Sequence, residues 1–127
     1  MAVIRDIVFD CRHPASLARF WAQALDGYDV APYDEAELER LRAEGFRGPE
    51  DDPTVLVTGG DGRPRLWFQL VPEEKTVKNR VHLDLRVEDV GREVDRLLGL
   101  GATELHQVES RVTMADPEGN EFCIDRM

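Results

Sequence analysis

Residues 3–11, Val-Ile-Arg-Asp-Ile-Val-Phe-Asp-Cys, concentrate β-branched and aromatic side chains, and that pattern predicts a strand. The period then changes. Pro14 opens a helix at a position where its missing N–H does no harm, and Leu17, Phe20, Trp21, Ala24 and Leu25 follow at helical spacing until Gly27 stops the run. Residues 28–33 allow a short strand. Residues 34–44 read as a second, more exposed helix in which Leu38 and Leu41 face inward and Gly45 is the stop. Residues 46–52 carry Gly, Pro and acidic side chains and read as a loop. Thr54-Val55-Leu56-Val57-Thr58 and residues 64–71 are two further strands, joined by Gly59-Gly60-Asp61-Gly62 as a hairpin, since glycines supply the positive φ values of tight reversals.

After a polar linker at 72–78 the order begins again. A strand at 81–87 precedes a helix at 89–98 with Val90, Val94, Leu97 and Leu98 inward and stops at Gly99 and Gly101. Strands follow at 103–108, 111–114 and 121–125, the last two joined by Asp116-Pro117-Glu118-Gly119-Asn120. That pentapeptide is turn chemistry: Pro117 presets φ, and Gly119 and Asn120 tolerate left-handed angles. The chain therefore reads as one strand, a helix and three strands, twice over. The repeat rests on element order, because the halves share little sequence. It pairs the final strands of the two halves, and with them Gln69 and Cys123. One helix over one sheet leaves the other sheet face bare, and two such units can bury those faces against each other or enclose a cavity.

Composition narrows the functional classes. At 127 residues the chain has room for one core-bearing domain, not two independent ones. A formal net charge of −10 argues against nucleic acid as a partner, because binding phosphate backbones needs a basic footprint. No apolar run approaches the roughly 18 residues that suggest a membrane span, and the amino terminus lacks the basic and long apolar regions of a secretory signal. A cytoplasmic location is the expectation. Cys11 and Cys123 form no CxxC motif and predict thiols on strands, not a disulfide framework.

Four segments carry a resemblance: Phe9-Asp10-Cys11 ahead of Pro14, the helix containing Phe20-Trp21, Asn79-Arg80-Val81-His82-Leu83-Asp84-Leu85, and Asp116-Pro117-Glu118-Gly119-Asn120-Glu121-Phe122. With these the chain resembles a glyoxalase-like domain of the vicinal oxygen chelate superfamily, over nearly its whole length. The resemblance implies an α+β fold of two βαβββ modules forming a cup-shaped, barrel-like sheet, module one at about 1–72 and module two at about 79–127. It also implies a small-molecule ligand, a homodimer, and chemistry of lyase, isomerase or dioxygenase type, or else drug or metabolite sequestration. Metal-dependent members carry ligands on the first and last strands of each module. Carried over, those positions fall near Asp6 (or, with a two-residue shift, Val8), on Gln69, on His82 and on Cys123. The last stands where a Glu is usual. The missing carboxylate disfavours a divalent metal; Asp, Gln, His and Cys could bind zinc, which accepts thiolate, imidazole and carboxylate, but the Gln69 amide is a poor ligand.

The residues also have readings of their own. His82 and Asp84 stand two apart, so on a strand they share a face and can pair. His82 is then a general base or ligand anchor, or equally a satisfied interior histidine. Trp67 and Gln69 share a face opposite to Phe68, which suits Trp67 to stack on a ligand and Gln69 to orient it. Cys123 on a cavity wall is a nucleophile or an inert lining thiol, and the absence of a basic neighbour in sequence favours the inert one. Asp10 and Asp84 hold similar places in the two halves. Trp21, at helical spacing with Leu17 and Leu25, is core. The expected ligand-binding set is Trp67, Gln69, His82, Asp84 and Cys123.

Overall fold

The computed structural model describes residues 1–126. Its order is β1 (Asp6–Cys11), α1 (Pro14–Ala24), β2 (Asp29–Val30), α2 (Glu35–Ala43), β3 (Thr54–Thr58), β4 (Arg65–Leu70), β5 (Leu83–Val87), α3 (Val90–Leu100), β6 (Thr103–Val108), β7 (Arg111–Ala115) and β8 (Glu121–Arg126). A 3-10 turn at Pro49–Asp51 interrupts the loop before β3. The fold is α+β, two βαβββ modules, each with its own four-stranded sheet, and neither sheet closes into a barrel. Met1–Glu74 and Lys75–Met127 are two compact units.

In the first unit the strands run in the order β1-β4-β3-β2, with β1 parallel to β4. Strand alternation sends Phe9 and Phe68 toward α1, where Leu17, Phe20 and Trp21 are buried. Phe9 stacks on Phe68 at 5.0 Å between ring centroids and on Trp21 at 5.7 Å. Burying each such ring contributes roughly 1.5–3 kcal/mol. The opposite face carries Val8 and Asp10 of β1 beside Trp67 and Gln69 of β4, in register as Val8↔Trp67 one step before Phe9↔Phe68 and Asp10↔Gln69 one step after. Helix α2 is thinly anchored: Asp34 caps it by accepting from the Glu37 N–H, and of the two leucines expected inward only Leu41 is fully buried.

The second unit repeats the plan with the order β5-β8-β7-β6 and β5 parallel to β8. Phe122 and Ile124 lie under α3, fully buried with Leu97, and Val94 is nearly so. The helix runs past Gly99 and stops one turn position later, at Gly101 with φ 116°. Leu98 points away from the core and stays 41% exposed, contrary to its expected inward placement, because α3 buries only a narrow stripe. His82 lies just before β5 and not within it.

Asp116 organises the turn into β8. Its Oδ1 accepts from the Glu118 and Asn120 N–H groups, and the Asn120 side-chain amide donates back to the same carboxylate at 2.9 and 3.1 Å. Only Gly119, at φ 87°, uses the left-handed region. Asn120 serves the turn through its side chain, not through backbone tolerance.

Candidate functional site

The polar group with the densest chemistry sits on the face of the second sheet opposite α3. Asp84 and Cys123 are direct cross-strand neighbours on β5 and β8, and Thr113 of β7 is the neighbour of Cys123 on its other side. His82 precedes Asp84 by two residues and shares its face. Its Nε2 lies 3.2 Å from Asp84 Oδ1. Arg111, at the start of β7, donates to Asp84 Oδ2 at 2.6 Å. Thr113 Oγ1 and Cys123 Sγ are 3.4 Å apart.

Exposure divides this group into rim and floor. The side chains of His82, Asp84 and Arg111 are 40%, 53% and 45% exposed, whereas Cys123 is 8% exposed beneath them. The Asp84 hydrogen bond, and then the Asp84 charge, push the Arg111 guanidinium up from its ordinary value, so a fixed cation stands beside the thiol. An Asp84 carboxylate on Nε2 favours the Nε2–H tautomer of His82 and leaves Nδ1 as a proton acceptor. The arrangement thus offers a proton acceptor, a cation and a hydroxyl within one small area.

Next along the same face of β8, Glu121 closes the lower end. Its Oε1 takes a hydrogen bond from Lys75 Nζ at 2.6 Å and its Oε2 one from the Asn79 N–H at 2.9 Å. Burial works against the Glu121 carboxylate, but Lys75 and the Asn79 N–H outweigh it and bring its pKa down to about 2. Those bonds tie the segment carrying His82 to β8.

One ligand atom each from His82, Asp84 and Cys123 lies within 4.8 Å of the others. Nitrogen, oxygen and sulfur donors at this spacing suit zinc by donor type. Asp84, however, already serves His82 and Arg111, so an ion would have to displace one of them. The other two family-equivalent positions lie in the first unit. Asp6 is engaged by Arg65, through bonds of 2.7 and 3.1 Å, and by Arg5 at 2.9 Å. The Arg65 bonds chiefly hold its carboxyl below the ordinary range. By strand register Asp10↔Gln69 corresponds to Asp84↔Cys123, so the residue aligned with His82 is Val8, the two-residue alternative to Asp6.

Trp67 and Gln69 share a face as the alternation required, with Phe68 buried behind them. Trp67 lines a hollow of about 450 Å³ within the first unit, together with Tyr33, Glu37, Asp52 and Leu56, and Gln69 does not reach it. A larger hollow of about 730 Å³ lies on the helix side of the second sheet, between Val94 and Val112, away from His82. Arg111, Thr113, Lys75 and Asp52 were not singled out by sequence reading. Arg111 and Thr113 had a signal, since alternation in β7 puts both on the Cys123 face once the hairpin register is known.

The family model for the glyoxalase-like domain matches residues 6–124. No curated protein matches the chain. Among solved structures, the chain is similar to a glyoxalase/bleomycin resistance protein/dioxygenase family enzyme from Burkholderia phytofirmans, at 17% identity and TM-score 0.65, covering 98% of each chain. It is similar to the fosfomycin resistance protein FosX from Mesorhizobium loti at 12% identity and TM-score 0.65, covering 98% of this chain and 91% of that one. A superfamily member from Sphaerobacter thermophilus matches at 14% identity and TM-score 0.63, over 100% of this chain and 98% of the other. At these identities the structural likeness carries the fold alone. The family match, spanning nearly the whole chain, carries more: the chain belongs to the glyoxalase-like domain family.

Proposed function

We propose that the protein binds a small, oxygen-bearing organic molecule on the open face of its second sheet. Arg111 and Thr113 hold the ligand's oxygen atoms, and His82, oriented by Asp84, accepts a proton from it. Cys123 forms the floor. The observation that carries this reading is the convergence of His82, Asp84, Arg111, Thr113 and Cys123 through contacts of 2.6 to 3.4 Å on a partly exposed face. Holding charged side chains together there costs conformational freedom that folding does not require. The first unit, taken by itself, offers Trp67 as a stacking wall and Gln69 as an amide on the sheet face opposite α1.

A proton-accepting His82 fits an enzyme of lyase or isomerase type, and a face that only holds its ligand fits sequestration of a drug or metabolite. Substitution separates them. A thermal-shift screen of small hydroxy and keto acids against wild-type protein, His82→Ala and Arg111→Ala tests the binding. Shifts that vanish in both variants support it, and shifts indifferent to both contradict it. Turnover of a binding compound that is lost in His82→Gln with binding retained assigns an enzyme. Equal disappearance rates with and without protein assign sequestration.

The three donor atoms within 4.8 Å favour one second reading, in which His82, Asp84 and Cys123 hold a zinc-type ion. Such an ion would polarise a ligand oxygen. Zinc titration with Cys123→Ser as control separates it from the first. We also take the working form as a homodimer, supported by the exposed apolar side chains Val8, Val81 and Val108, and light scattering tests that.

A further inference from the structure

We infer that the hollow between α2 and the first sheet is a binding site for an organic cation: a protonated or quaternary amine with a flat apolar body. The inference shares with the proposed function only the use of Trp67 as a ligand wall. It begins with Asp52, which is 3% exposed. Its Oδ1 accepts from the Thr54 N–H at 3.0 Å and its Oδ2 from the Tyr33 hydroxyl at 2.7 Å. Both donors are neutral. Among the described residues no Lys, Arg or His lies within ion-pairing distance of this carboxylate.

A buried carboxylate without a cation is costly, and two neutral hydrogen bonds offset only part of that cost. The local structural task does not explain the charge. Accepting the Thr54 N–H two residues on is an Asx-type turn that launches β3, and an asparagine oxygen performs it equally well. The Tyr33 phenol is pushed up from its ordinary value, first by burial and then by its bond to Asp52, so it remains a donor. What distinguishes the carboxylate from an asparagine here is its second acceptor oxygen, which takes the neutral Tyr33 hydroxyl, so no cation among the described residues balances its charge.

The cavity around Asp52 has the lining to use that charge. Its volume of about 450 Å³ lies within the range of small-ligand sites. Trp67 and Tyr33 offer aromatic rings, Leu56 and Pro32 apolar walls, and Glu37 a second carboxylate. Arg40, the cation at this mouth, is already held by Glu37 at 3.0 Å and Glu44 at 3.2 Å. Trp67 also carries a cation near its ring, with Arg65 at 5.8 Å from its centroid. Aromatic faces and a desolvated carboxylate attract a cation together, by quadrupole and by charge. An anion meets Asp52 with no released cation to receive it, because Glu37 and Glu44 hold Arg40.

Three probes of one shape and different charge test the site: benzyltrimethylammonium, benzyl alcohol and benzoate, each titrated into the full chain while the Trp67 indole N–H resonance is followed. We expect the cation to bind at least tenfold more tightly than the alcohol, and benzoate to leave the resonance unmoved. Asp52→Asn, which keeps an oxygen for Thr54, should weaken the cation at least tenfold while leaving the alcohol within a factor of two. Equal binding of all three probes, tightest binding of benzoate, or an unchanged cation affinity in Asp52→Asn overturns the inference. If Asp52→Asn does not fold, Glu37→Gln on the exposed helix, with an expected threefold or greater loss, and the ranking in wild-type protein decide the question. Substitutions at His82 test the second sheet and those at Asp52 the first, so the two readings fail separately.

Discussion

His82 Nε2 lies 3.2 Å from Asp84 Oδ1, and the other oxygen of that carboxylate takes a hydrogen bond from Arg111 at 2.6 Å. One acidic side chain thereby orients both an imidazole and a guanidinium. Asp84→Asn removes the charge that serves both. We expect the His82 ring to lose its preference for the Nε2–H tautomer, read from imidazole nitrogen shifts, while stability falls by less than about 1 kcal/mol because all three side chains are substantially exposed. A His82 tautomer unchanged in the variant would show that Asp84 does not set it.

Acid should unfold the protein partly through Glu121. Its folded pKa of about 2 lies below the ordinary carboxylate value of 4.5, so its stabilisation is complete above roughly pH 4.5 and is lost as pH falls toward 2. Glu121→Gln should cost about 1–2 kcal/mol at pH 7 and flatten the decline in that window. Chemical denaturation of both proteins at pH 7, 4.5 and 3 measures it. A variant whose stability falls as steeply as wild type there contradicts the assignment.

Two adjacent residues of β4 should respond very differently to truncation. Phe68 is fully buried and stacked on Phe9, whereas its neighbour Gln69 is exposed on the other face. Phe68→Ala should destabilise by about 3–5 kcal/mol and Gln69→Ala by less than about 0.5 kcal/mol. Urea melts of the two variants give the comparison directly.

Gly101 ends α3 at φ 116°, with Pro117 Cγ 3.4 Å from the place a Cβ would take. Backbone strain there should make Gly101→Ala cost about 1 kcal/mol or more. Gly99, inside the same helix with open space around it, should tolerate alanine and gain slightly in stability from its helix propensity. A pair of melting curves tests the contrast.

What the sequence revealed depended on distance along the chain. Helical stripes, alternating strands and the Asp116-to-Asn120 turn are local patterns, and each element they imply is present within a few residues. His82 and Asp84 were legible as a pair because strand geometry alone puts them on one face. Arg111 and Asp84 were not, since 27 residues separate them and only the pairing of β5 with β8 and of β8 with β7 brings them together. The choice between Asp6 and Val8 for the first family-equivalent position stayed open for the same reason: counting from Phe20-Trp21 has no access to the β1–β4 register, which aligns Val8 with His82. Asp52 looked like an ordinary loop acid, and its burial arises from the way Tyr33 and Thr54 close around it. No basic neighbour of Cys123 is visible along the sequence, and Arg111 supplies one from the adjacent strand.

The most direct measurement of the central claim is a map of backbone and side-chain chemical shifts as small hydroxy and keto acids are titrated into isotope-labelled protein, repeated with His82→Ala. The account predicts that a binding compound perturbs His82, Asp84, Arg111, Thr113 and Cys123 first and most strongly, and that its affinity drops at least tenfold in the variant. Perturbations centred elsewhere, with affinity unchanged by His82→Ala, would contradict it.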